Sequence, residues 1–313
     1  MERFKLVSRS LIPMVLLVLA MAADSWAVEP KITKIHEGRH WIWYAREDQF
    51  HDHETDIKAQ YDYADQAFDR LVEAWGISPP NRTYALLVWP KTGGGFAVGD
   101  IAELHDVVSG PQPGIAVSYD AFFNEEHGIK GFWAVAIITH EMTNLFSGQL
   151  VSGGWPVDWW ADHISPFPKM TAVQIEYDLR PDVAVEHAKQ MDSPLDHMFA
   201  KLKDQFGWSL FRRAFAAARE DGIDWERIGR NPSALRTNYV CAYLQLAAPE
   251  GLHAYLQGVV PGYDRKAVED ILTARKKWRD LPKDDAGRTE LREKFLRGEV
   301  TKATPAKEQS ERP

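Results

Sequence analysis

The segment GFWAVAIITHEMTNLFSG, residues 131–148, constrains this chain more than any other. Its apolar spacing predicts a helix over 132–147 that closes on His140-Glu141, with Gly148 just beyond to stop it. Such a helix carries two ionisable groups into the interior, where they are costly unless they are paired or used. On a helix, positions 140 and 144 share one face about 6 Å apart along the axis, while Glu141 projects about 100° away.

That geometry is the one H-E-x-x-H zinc peptidases use, with both histidines on the ion and the glutamate taking a proton from the metal-bound water. A second motif follows in GGWPVDWWADHISPFP, where Trp159, Trp160 and Ala161 lead into Asp162. Together the two stretches resemble the gluzincin peptidases, the thermolysin-like clan and its enhancin-like relatives. In that clan a third metal ligand follows on the next helix within W-x-x-E. Seventeen residues separate Asn144 from Asp162, close to the clan's spacing.

The resemblance implies a zincin-like α+β fold: a small N-terminal mixed-sheet lobe with the active-site helix, to about residue 148, and a helical C-terminal lobe. It implies a metal-dependent hydrolase, a peptidase, with His140, Asn144 and Asp162 on a divalent ion and Glu141 as the catalytic base. Peptides or glycoproteins are the implied substrates. PGIAVSY, residues 113–119, is then the sheet edge along which a peptide lies extended. FGWSLFRRAF (206–215) and NYVCAYLQLAAPEGLHAYLQG (238–258) are similar to helices that back the cleft. The likeness covers roughly residues 60–260, but only the His-Glu and Trp-x-x-Asp elements are specific.

Two positions depart from the clan's pattern. Asn144 offers a neutral carbonyl oxygen where a second histidine is expected, and Asp162 is one methylene shorter than glutamate. Zinc is the first expectation for the ion. A donor set of His, Asn, Asp and water suits manganese, magnesium or calcium equally, and loss of a histidine ligand weakens zinc or removes it. Changes at two of three ligand positions point to a remodelled site, and an intact Glu141 points the same way. The alternative is an inactive peptidase-like protein that binds a peptide or glycan in the old cleft, with Asn144 bridging two helices by hydrogen bonds.

Other groupings are weaker. His51-Asp52-His53-Glu54 packs four possible ligands together, but successive residues point in different directions, and a solvated charge cluster at a helix start fits better. Asp158 and Asp162, one turn apart, form a carboxylate pair of the kind glycosidases use. His163 is a substitute nitrogen ligand only if the backbone there is irregular. Trp133, Trp155, Trp159 and Trp160 either stack sugars or fill the core. Cys241, the single cysteine, allows no internal disulfide and sits in the apolar run YVCAYLQLAA, as a buried structural thiol would.

The first residues carry Arg3, Lys5 and Arg9, then the apolar run Leu11–Ala23, then the small residues of Ser25-Trp26-Ala27. They read as a secretory signal peptide over 1–27, shorter in its apolar core than the about 20 residues of a membrane span, with an uncleaved membrane anchor as the alternative. The expected location is therefore secreted or periplasmic, with no stable membrane span after cleavage. Residues 28–298 form the expected domain and 299–313 a disordered tail. Loss of the leader removes three basic and two acidic residues, which takes the formal charge from −8 to −9 and argues against a nucleic-acid partner.

Strands are predicted within 32–45, at 84–89 and at 115–119, and a long helix over 54–75. Beyond residue 130 helices are predicted at 132–147, 156–164, 193–220, 233–247, 250–257 and 264–280.

Overall fold

The computed structural model describes residues 31–76, 83–101, 112–146, 166–191, 194–224, 228, 234–248, 252–260 and 262–299. Within them the chain is α+β, a five-stranded mixed sheet near the N-terminus followed by a helical remainder. The leader, residues 300–313 of the tail and the Trp-x-x-Asp stretch lie outside the described residues.

Strand β1 (Ile32–Glu37) and strand β2 (Trp41–Arg46) form an antiparallel hairpin, closed by a hydrogen bond from Gly38 N to Trp41 O at 2.8 Å. The chain then leaves the sheet through helices α1 (Glu47–Lys58) and α2 (Tyr61–Trp75) and returns as β3 (Tyr84–Trp89), parallel to β2. Strand β4 (Gly95–Val98) and strand β5 (Gly114–Ser118) complete the order β1-β2-β3-β5-β4, with β5 parallel to β3 and β4 antiparallel to β5.

Alternation along the strands sends Trp41, Trp43, Leu86, Val88, Ile115 and Val117 to the helical side. Tyr44, Ala85, Leu87 and Ala116 face the opposite side, where Ile101 joins them. The predicted sheet edge at 113–119 is corrected here. β5 is an interior strand, and the edge beside it is β4, a four-residue strand in a glycine-rich stretch that reads as a loop. Gly93 and Gly94 enter it with φ of 83° and 79°, a conformation that favours glycine and hides the strand from any apolar pattern.

The helical side is covered first by α2 and by helix α3 (Phe132–Asn144). Helices α4 (Pro166–Leu179), α5 (Pro181–Ala188), α6 (Pro194–Phe206) and α7 (Trp208–Asp221) pack on from there. Helices α8 (Ala234–Ala247), α9 (Leu252–Val259), α10 (Arg265–Arg279) and α11 (Ala286–Leu296) complete the molecule. One apolar core runs without interruption from Trp41 in the sheet to Leu296 in the last helix, so the two lobes share an interior.

The long helix predicted over 54–75 is two helices. His53 leaves helical dihedrals at φ −133° and ψ 29°, and Ala59-Gln60 turn the chain before α2 starts. The stretch 193–220 likewise divides at Gly207, whose φ of 66° with ψ of −178° no helix accommodates. Cys241, in α8, is fully buried as its apolar setting predicts, and burial pushes its thiol up, far from the thiolate a nucleophile needs.

Candidate functional site around His140 and Glu141

Helix α3 is held in the molecule by a buried apolar surface that includes Phe132, Val135, Ile138 and Met142. Two threonines fix it further. Thr139 Oγ1 donates to Val135 O at 3.2 Å and is hydrogen-bonded to the Tyr63 hydroxyl of α2, and Thr143 Oγ1 donates to Thr139 O at 3.0 Å. The helix winds on through Leu145 and Phe146 in a wider π-type turn, an irregularity often found beside functional groups.

His140 and Asn144 are half-buried on this helix, and Glu141 is only 8 % exposed. The Asn144 amide Nδ2 donates to Glu141 Oε2 at 3.0 Å, a link between positions three apart that orients both side chains. Part of His140 stays accessible, yet enough protein surrounds the ring to lower its pKa from 6.5 to about 4. Desolvation is the largest cause, followed by the positive charges that His187 and Lys169 can carry. His140 is thus a neutral imidazole at any ordinary pH.

Edge strand β4 lies directly against this helix. A Cβ built on Gly95 would meet the Ile137 side chain, Glu141 Cγ at 2.8 Å and Ala116 O at 2.9 Å. Only glycine fits there, and the contact sets the Glu141 side chain against the backbone of the outermost strand.

Asp162 lies outside the described residues, as do Asp158, His163, Trp155, Trp159 and Trp160. Of the four predicted site residues, His140, Glu141 and Asn144 lie on α3, where the structure joins Asn144 to Glu141. Among the described residues no three His, Cys, Asp or Glu side chains converge as metal ligands would.

The cluster at 51–54 sits on α1. His51 approaches Glu47 at 3.8 Å, whereas His53 stacks on Phe123 with ring centroids 4.1 Å apart, so the two imidazoles are engaged separately. Trp133 donates from Nε1 to Glu126 Oε2 at 3.3 Å and packs edge-on to His127.

Sequence reasoning missed a set of buried polar groups next to α3. Glu176 of α4 is fully buried, and both its oxygens face His187 Nδ1 of α5 at 2.9 and 3.1 Å. Lys169 Nζ donates to Gln190 O at 2.9 Å and lies 3.4 Å from Asp196 Oδ2. The available signal was Arg180-Pro181, which ends one helix and starts the next and so folds Glu176 and His187 onto adjacent helices.

No family model matches the chain, and comparison with curated proteins and with solved structures found no match either.

Proposed function

We propose that this chain is an exported metal-dependent hydrolase of zincin-like fold, a peptidase, that works on an extended peptide or glycoprotein segment. The observation that carries this reading is the contact between edge strand β4 and the His140-Glu141 helix. Among the described residues β4 pairs only with β5, and a strand edge accepts an extended peptide through backbone hydrogen bonds. A peptide bound along β4 runs past Glu141, whose proposed task is to activate water for attack on one of its carbonyls.

Two of the expected donors, on His140 and Asn144, are of types that bind divalent ions. His140 is neutral and needs no deprotonation, and Asn144, whose amide nitrogen donates to Glu141, carries a carbonyl oxygen of the kind that binds hard divalent ions. His140, Asn144 and Asp162 are the residues that would hold the ion, zinc in the first place and manganese in the second. Bound there, it supplies Lewis acidity toward the scissile carbonyl and toward water. Glu141 takes a proton from the attacking water and passes it to the leaving amine, a task worth about 10²- to 10⁴-fold in rate. Low exposure keeps bulk water away from that carboxylate and strengthens its interactions.

Elemental analysis of the protein purified from its own compartment, beside an Asn144→His variant, tests the reading. A stoichiometric metal in the native protein, with peptidase activity abolished in Glu141→Gln, is the expected outcome. If no metal is found and neither zinc nor manganese raises the melting temperature, the proposal fails.

The hydrogen bond from Asn144 to Glu141 supports a second reading, in which the amide occupies the carboxylate in place of a metal and the cleft only binds a peptide or glycan. That reading expects ligand affinity indifferent to Glu141→Ala, and zinc binding with peptidase activity gained on Asn144→His.

A further inference from the structure

We propose that the cleft between α8, α9 and α10 is a binding site for a small organic oxyanion, a phosphate or carboxylate group carried on an apolar body. The cleft has a volume of about 520 Å³, within the roughly 300–1,000 Å³ of small-molecule sites. Leu246 and Leu272 provide apolar surface, and three cationic side chains from the last turns of α10, Arg275, Lys276 and Arg279, provide charge. It shares no residue with the His140-Glu141 site.

Beneath these cations lies Asp221, fully buried at the end of α7. It accepts hydrogen bonds from Tyr243 Oη at 2.6 Å, from Arg275 Nη2 at 3.2 Å and from Arg279 Nε at 2.8 Å, and Arg275 Nε donates to it as well. One buried carboxylate thus serves two guanidinium groups, and the positive charge left over is met only from the surface, by Glu220. The same bonds hold both arginines in place, so a ligand need not order them. Arg275 also lies over the Tyr243 ring, 5.9 Å from its centre.

The remaining acidic partners are loosely held. Glu220, which meets Arg279 Nη2 at 2.9 Å, is 67 % exposed, and the Lys276–Asp280 pair is exposed on both sides. Ion pairs of this kind are weak in water and readily exchange for a ligand's charge. Guanidinium groups suit oxyanions because their donors match the geometry of paired oxygens. Gln245 lines the same cleft, and its Oε1 is buried without a hydrogen bond among the described residues, an acceptor ready for a ligand N–H or O–H.

Calorimetric titration of the full chain with phenyl phosphate, benzoate and benzyl alcohol tests this. One or both anions should bind saturably with Kd below about 1 mM, and the neutral alcohol should not. The stronger anion identifies the head group. Lys276→Gln, at an exposed position, should weaken binding severalfold, and Glu220→Gln, which removes the competing carboxylate, should strengthen it about threefold. Arg279→Gln should cost about tenfold. Absence of saturable binding up to about 10 mM, equal binding of benzyl alcohol, or anion affinity unchanged in both Lys276→Gln and Glu220→Gln overturns the proposal.

Discussion

His140 titrates in the folded protein near 4, whereas a free imidazole titrates at 6.5. Because the folded value is the lower one, the unfolded chain binds the extra proton first as pH falls. The native state is therefore at its full stability above 6.5 and loses it progressively down to about 4. The loss reaches roughly 3 kcal/mol, at 1.36 kcal/mol per pKa unit. Thermal melts of metal-free protein across pH 4–7 should show this slope, and it should flatten in His140→Gln. A slope unchanged by that substitution would place the acid sensitivity elsewhere.

At the scale of elements, β4 is the decisive piece. Gly95→Ala drives a methyl group into Ile137, Glu141 and the Ala116 carbonyl. Overpacking of this kind costs about 1–3 kcal/mol. It should also displace Glu141 and lower hydrolysis by at least about tenfold, since an error of about 1 Å at a reacting group has effects of that order. Ala97→Gly, on the same short strand, leaves the Gly95 contact intact and should retain activity. The hairpin at 32–46, strands β3 and β5 and helix α3 were readable because each carries an apolar pattern of its own. Strand β4 was not, since its identity comes from pairing with Val117 and Ala116, not from its glycines. Helix α4 was missed for a different reason: Met170, Thr171, Ala172, Val173, Ile175 and Glu176 are all buried, and burial on every side removes the amphipathic period. His140, Glu141 and Asn144 were legible as a helical spacing, whereas the Glu176–His187 pair depends on how two helices meet.

For the molecule as a whole, the uninterrupted core predicts a single cooperative unfolding transition across the sheet and the helical part. Asp221 tests that coupling. Its side chain ties α7 to α8 through Tyr243 and to α10 through two arginines, and its backbone carbonyl accepts from Arg292 of α11 at 2.7 Å. Asp221→Ala leaves Arg275 without its carboxylate, and Arg279 with only the exposed Glu220, beside a buried tyrosine hydroxyl, and should destabilise the protein by about 3–5 kcal/mol. The melting transition should move down as one step. Two separated steps would mean that the C-terminal helices unfold on their own.

The buried thiol of Cys241 turns the chain into its own stability gauge. With one cysteine in the sequence and that one inaccessible, a thiol reagent added to native protein has a single target, and it reaches that target only when α8 opens. The labelling rate measured against denaturant would report the free energy of that opening, with no introduced probe and no need to know the substrate.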